Sequence, residues 1–218
     1  MDVSDRRRQV QLTLEAKIAT DLYRGNFCGC RLYQRSGRLC LQGRWAVSTE
    51  GAMEREILLL GDARLYQVCE PVRREELAAM PALIADMRDT ILAYRRKMGA
   101  GRAIAAPQIG AMKRVVCMCL QDEPVAFLNP ALSFPDGEMM EVLDDCMSFP
   151  HLLVRLKRHR RCVVRYRDLD WSEREWALEG DLSELLQHEC DHLDGVLATM
   201  RAASPRDFVM RAHGGRTI

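Results

Sequence analysis

The sequence predicts an α+β fold, with antiparallel strands around a C-terminal helix. A helical apolar pattern occupies the first half of the chain, extended patterns fill the middle, and a second helical stretch follows them. The elements can be justified in order. Residues 1–52 show poor periodicity and are punctuated by Gly25, Gly29, Gly37, Gly43 and Gly51, so they read as an N-terminal extension of uncertain order. The character changes at Met53, and residues 53–204 read as one domain. Within it, residues 54–62 are an extended segment ending in a turn. Leu83, Ile84, Met87, Ile91 and Leu92 recur on one helical face. Pro81 suits the first turn of that helix, and Gly99 follows Arg95, Arg96 and Lys97 at its end. Residues 114–120 read as a buried strand. Residues 125–128 continue extended into a turn at Asn129-Pro130. Leu152 to Asp168 is strand-like with a basic face. The last helix runs from about Asp181 to Asp194 and stops at Gly195, leaving residues 205–218 as a tail.

A length of 218 residues suits one domain with a full core. With 48% hydrophobic and 29% charged residues, the composition is that of a soluble globular protein. The net charge of +1 argues against DNA or another polyanion as partner. The balance is uneven, since residues 1–52 hold nine Lys/Arg against five Asp/Glu. No apolar run approaches the roughly 20 residues that span a bilayer, so no membrane association is expected. Arg6, Arg7 and Arg8 hint at a presequence, but Asp2, Asp5, Glu15 and Asp21 break the acid-poor pattern. Nine cysteines, an odd number without a secretory signal, imply reduced thiols and a cytoplasmic protein. The C-x-C pairs Cys28/Cys30 and Cys117/Cys119 lack second pairs at zinc-ribbon spacing and read as structural.

Chemistry concentrates in His188-Glu189-Cys190-Asp191-His192. Two histidines four residues apart on a helix lie on one face, where both imidazoles can grip one metal ion. A carboxylate directly after the first histidine serves such sites as a base toward water rather than as a ligand. The bland reading is two solvated histidines on a charged helix. A catalytic metal needs a third protein ligand and an open position. His151, His159, His213 and Cys146 are the candidates.

Three segments, in order, resemble the signature motifs of the peptide deformylase family. Gly101-Arg102-Ala103-Ile104-Ala105-Ala106-Pro107-Gln108 resembles its glycine-rich motif. Asp144-Asp145-Cys146-Met147-Ser148 resembles its E-G-C-L-S motif, and Gln187-His188-Glu189-Cys190-Asp191-His192-Leu193 its Q-H-E-x-D-H-L motif. Leu60-Gly61-Asp62, Met87-Arg88-Asp89-Thr90, Asn129-Pro130 and Val154-Arg155 supply matching context, and the likeness covers about residues 54–200. It implies a peptide deformylase-like fold and hydrolysis of an N-formyl amide to formate and a free amine. It implies Cys146, His188 and His192 as metal ligands, with Fe2+ as the usual ion and Zn2+, Ni2+ or Co2+ as substitutes. Glu189 becomes the general base. Gln108 and the Met147 N–H become the oxyanion donors. Around them, Asp144, Arg155 and Asp191 are expected to hold the ligands in place, Asp144 by pairing with Arg155, and Asp191 by orienting His188 or an arginine.

The substrate is expected against Gly101, Arg102, Ala103, Ile104, Asp145, Asp181, Glu184 and Leu185. Here the chain departs from the family pattern. Asp145 stands where the family has Gly, and Arg102 and Ala103 stand where an aliphatic residue and a Gly are usual. Glu184 and Asp181 lie four and seven residues before His188, on the face of its ligands, in a stretch that in the family lines an apolar pocket for methionine. Two expectations follow: a substrate with a polar or cationic group near the scissile bond, such as a formylated peptide or small amine, or an Arg102 neutralised by Glu184 or Asp181. Asp145 and Ala103 also leave open a metal-binding homologue with little turnover. A cluster of basic residues, Arg155 to Arg167, is either a solvated strand face or a contact for ribosomal RNA.

Overall fold

A computed structural model describes residues 31–35, 38–42, 53–120 and 122–211. The chain divides into two compact units between Val47 and Ser48, ahead of the expected boundary at Met53. In the first unit, β1 (Arg31–Arg35) and β2 (Arg38–Gln42) pair antiparallel, with Arg31 opposite Gln42. The rest of the expected extension, including Cys28 and Cys30, lies outside the described residues, as does His213.

The second unit is α+β. Helix α1 (Met80–Met98) forms where apolar residues recur at helical spacing, and Met80, Ile84, Met87 and Ile91 are buried. Burying side chains of this size contributes about 1.5–3 kcal/mol each. Pro81 sits in the first turn, where its missing N–H costs no bond. Gly99 ends the helix at φ 69°, a left-handed conformation that costs glycine little, and its N–H bonds to the Arg95 carbonyl. The helix packs on a five-stranded antiparallel sheet ordered β3-β4-β5-β8-β9. Its strands are β3 (Ala103–Ala105), β4 (Val115–Leu120), β5 (Glu123–Ser133), β8 (Arg161–Arg167) and β9 (Glu173–Glu179). A second antiparallel sheet holds β6 (Met139–Asp145), β7 (Leu152–His159) and β10 (Phe208–Met210), in the order β10-β7-β6.

Helix α2 (Asp181–Leu193) touches strands of both sheets and is buried from Leu182 to Leu193. A helix covered on every side carries no polar stripe for solvent, so its polar residues must be satisfied internally or serve chemistry. Gly195, just beyond it at φ 70°, lies so close to Tyr66 that an added Cβ would sit 2.7 Å from that residue's backbone.

Three expectations change. Asn129-Pro130 is not a turn. β5 runs through it with a register shift between Leu128 and Ala131, because a proline without an N–H is tolerated at a bulge. Asn129 adopts φ 52° and exchanges two hydrogen bonds of 2.8 Å with the Val72 backbone. The Leu152–Asp168 stretch is two strands in different sheets. They part at Arg160, whose N–H bonds to Glu138 and whose carbonyl accepts from Gly180. Residues 54–62 end in a turn at Leu60 and Gly61, as expected, and Leu58 N–H bonds to the Gln108 carbonyl (2.8 Å) and Leu60 N–H to the Ser148 carbonyl (2.9 Å). The expected tail instead turns at Pro205–Asp207 and adds β10 to β7, with Met210 opposite Leu152. Three residues are too few to show an alternating pattern.

The arginines of β8 and Arg160 before it are ion-paired. Arg160 meets Glu138, Arg161 meets Asp136 and Glu138, Arg165 meets Glu175, and Arg167 meets Glu173, at 2.5–3.0 Å. Among the described residues no helix is long and apolar enough to cross a membrane.

Candidate metal centre and active site

Helix α2, the loop after β6 and the turn after β3 meet at one buried point. The helix supplies His188 and His192, whose rings lie 4.9 Å apart at 76°. The loop supplies Cys146. Its Sγ lies 3.2 Å from His192 Nε2, which lies 3.2 Å from His188 Nε2, and the three ligand atoms fall within 4.8 Å of one another. Atoms bound to one small dication sit roughly 3.3–3.7 Å apart, given metal–nitrogen and metal–sulfur bonds of about 2.0–2.3 Å. A thiolate and two imidazoles suit Zn2+, Fe2+, Ni2+ or Co2+ and not a hard ion such as Ca2+. The residues therefore fit a metal. Of the open candidates for third ligand, the structure brings in Cys146; His151 and His159 are not in the cluster.

Asp144, fully buried at the end of β6, lies 2.6 Å from His188 Nδ1 and accepts from Arg158 at 2.7 and 3.2 Å. Burial disfavours its charge, but His188 and Arg158 outweigh burial and lower the carboxyl to about 2. Burial likewise disfavours protonated His188, yet Asp144 and then Cys146 hold its pKa well above the ordinary value. Burial and the neighbouring His188 push His192 the other way. A metal ion and a proton compete for the same imidazole lone pair, so the field that attracts one attracts the other. The expected Asp144–Arg155 pair does not form. Arg155 faces solvent and approaches Glu141 at 3.6 Å, because strand parity turns Arg158 inward with Val154 and Leu156. Asp191 accepts from Arg158 and Arg201, not from His188. Sequence reasoning missed Arg158, Arg201 and Ser148, although parity in β7 signalled the first.

Glu189 is 3% exposed, and its Oε2 has no hydrogen-bond partner among the described residues. Burial raises its carboxyl to about 7; His188 opposes the shift, and Asp144 and Glu184 add to it. Gln108 is held from both ends. Its Oε1 accepts from the Ala105 N–H at 2.9 Å, which points Nε2 toward Ser148 Oγ (3.2 Å) and Cys146 Sγ (3.5 Å).

The residues expected against substrate scatter more. Ile104 and the Met147 side chain lie in the core beside α1, and Ala103 and Leu185 are buried. Gly101 has φ 121°, and an added Cβ would meet the Tyr94 ring at 3.2 Å and Met147 Sδ at 3.6 Å. Asp145 is ion-paired with Arg211 of the C-terminal segment. Arg102 donates to Glu184 Oε2 at 3.0 Å and approaches the Asp181 carbonyl at 3.5 Å, while the Asp181 side chain is exposed.

A His-Glu-x-x-His helix, a cysteine from a loop and a buried carboxylate, set among antiparallel sheets, define a metal-dependent hydrolase. The profile described as "Polypeptide deformylase" matches residues 54–207, and the chain belongs to this family. It is 32% identical over 147 residues to the peptide deformylase of Dictyoglomus turgidum, covering 67% of this chain and 92% of that one. It is 34% identical over 143 residues to that of Treponema pallidum, covering 65% and 84%. The crystal structure of the peptide deformylase from Thermotoga maritima superposes with a TM-score of 0.61 at 32% identity, covering 70% of this chain and 99% of that one. A Met-Ala-Ser-bound peptide deformylase from Acinetobacter baumannii gives 0.62 at 27% identity, covering 69% and 99%.

Proposed function

We propose that this protein removes the N-formyl group from a formylated peptide, and that residues 53–204 carry the reaction. Cys146, His188 and His192 would hold Fe2+, with Zn2+, Ni2+ or Co2+ as substitutes. When bound, the metal supplies Lewis acidity toward water and the formyl oxygen.

The carrying observation is Glu189, a buried carboxylate with an unpartnered oxygen, next in sequence to one ligand of a Cys/His/His cluster. Glu189 takes a proton from water as its oxygen bonds to the formyl carbon. The carbonyl π electrons move onto oxygen, where the Gln108 Nε2–H and the Met147 N–H stabilise the negative charge. Gln108 suits this role because its amide is oriented before substrate arrives. Glu189 then returns its proton to the leaving nitrogen, the C–N bond breaks, and formate and a free amine depart. Asp144, held by Arg158, keeps His188 oriented. Gly101 to Ile104, Asp145, Asp181, Glu184 and Leu185 surround the substrate, through backbone where the side chain is buried.

The test is formate release from formyl-peptides by iron-loaded protein without oxygen. Glu189→Ala should retain the metal and lose about 10²–10⁴ in kcat. Full turnover in Glu189→Ala, or none in the parent protein with any formyl-peptide, refutes the reading.

A further inference from the structure

We propose that the Arg102–Glu184 ion pair is a specificity element that selects formyl-peptides whose first side chain carries a neutral hydrogen-bonding group, an amide above all, over an apolar one. The proposal rests on the deformylase reading and names its substrate class.

Glu184 lies four residues before His188 on α2, so it shares the ligand face one turn earlier. Arg102 reaches it from the segment before β3, with 3.0 Å between Nη2 and Oε2. The preceding Gly101 has φ 121° and no room for a side chain without crowding the Tyr94 ring. One turn of α2 separates Glu184 from His188, the residue next to the proposed base. The pair is not sealed: the Arg102 side chain is 29% exposed and that of Glu184 12%.

An apolar side chain laid on the pair would strip its remaining water and return no hydrogen bond. A guanidinium carries five N–H donors, and among the described residues Glu184 and the Asp181 carbonyl draw on these. A carboxamide offers its oxygen to a spare N–H and its own N–H to the carboxylate. A full charge has less to gain. Arg102 is matched by Glu184, the nearby Asp145 is matched by Arg211, and the Asp181 side chain points to solvent.

The experiment compares kcat/KM for formyl-Gln-Ala-Ser, formyl-Met-Ala-Ser, formyl-Lys-Ala-Ser and formyl-Glu-Ala-Ser in the full, metal-loaded chain. The R102L/E184L double variant is run beside it; removing both charges together avoids stranding one. The parent should favour the Gln peptide over the Met peptide by about tenfold or more, and the double variant should reverse the order. A parent that prefers the Met, Lys or Glu peptide, or a double variant that keeps the parent's ranking, overturns the proposal. If the double variant does not fold, calorimetric binding of the deformylated products Gln-Ala-Ser and Met-Ala-Ser to the parent decides the matter. Tighter Gln-Ala-Ser supports the pair as selector, and tighter Met-Ala-Ser refutes it. Absence of formate from every peptide refutes the deformylase reading instead, and the product ranking still tests the pair.

Discussion

Arg158 joins two carboxylates beneath the ligand helix, Asp144 at 2.7 Å and Asp191 at 2.5 Å, and only 3% of its side chain meets solvent. Removing it leaves buried Asp144 with His188 as its remaining partner and Asp191 with Arg201. Arg158→Leu should cost about 3–5 kcal/mol in urea unfolding. It should also weaken metal binding about 10–100-fold in a chelator competition, since Asp144, which orients His188, loses its own anchor. The same change at Arg155, which faces solvent, should shift stability by no more than about 1 kcal/mol. Residue identity did not separate these two arginines. Both stand in one basic run, and only the inward phase of β7 distinguishes them. The ligands were more legible, because His188 and His192 carry their own spacing on one helix. Cys146 was one of four candidates from the residues alone, and only the family resemblance singled it out.

Helix α2 was predicted nearly to the residue, yet the environment around it was not. A helix between two sheets is buried on all faces, and no local pattern says that a second sheet will cover the polar side. Its termination is equally non-local. Gly195 reads as an ordinary stop signal, but its deeper constraint is the Tyr66 backbone at 2.7 Å from any added Cβ. Gly195→Ala combines a positive φ with that clash and should destabilise by about 2 kcal/mol or more, read as a lowered urea midpoint with unchanged slope. Gly137→Ala is the control: nothing lies within 4 Å of its added Cβ, and it should shift stability by about 0.5 kcal/mol or less. The break at Arg160 and the bulge at Asn129-Pro130 were misread because strand length and register depend on partners elsewhere in the chain.

The metal cluster draws on α2 and on the loop after β6, elements from distant parts of the chain, so metal binding should act on the stability of the whole unit. Adding Zn2+ to the metal-free protein at about 1,000 times its dissociation constant should stabilise by roughly 4 kcal/mol, seen as a raised Tm. Cys146→Ser should remove most of that increment. A smaller effect in the parent than in the variant would show that the ion binds elsewhere. The basic strands are a second property of the whole molecule. Arg160, Arg161, Arg165 and Arg167 are engaged by Glu138, Asp136, Glu175 and Glu173, so co-sedimentation with ribosomes should lack the steep salt dependence of a phosphate-binding surface.

By itself the sequence determined the α+β class, both helices with their glycine stops, and the His-Glu-x-x-His ligand pair. Helical spacing and capping are local rules that a single chain displays. Only the tertiary structure decided that Arg158 and not Arg155 holds Asp144, and that residues 208–210 complete a sheet. It also settled that Arg102 answers Glu184, because the partner of a charge or of a strand edge is chosen by whatever the fold brings against it.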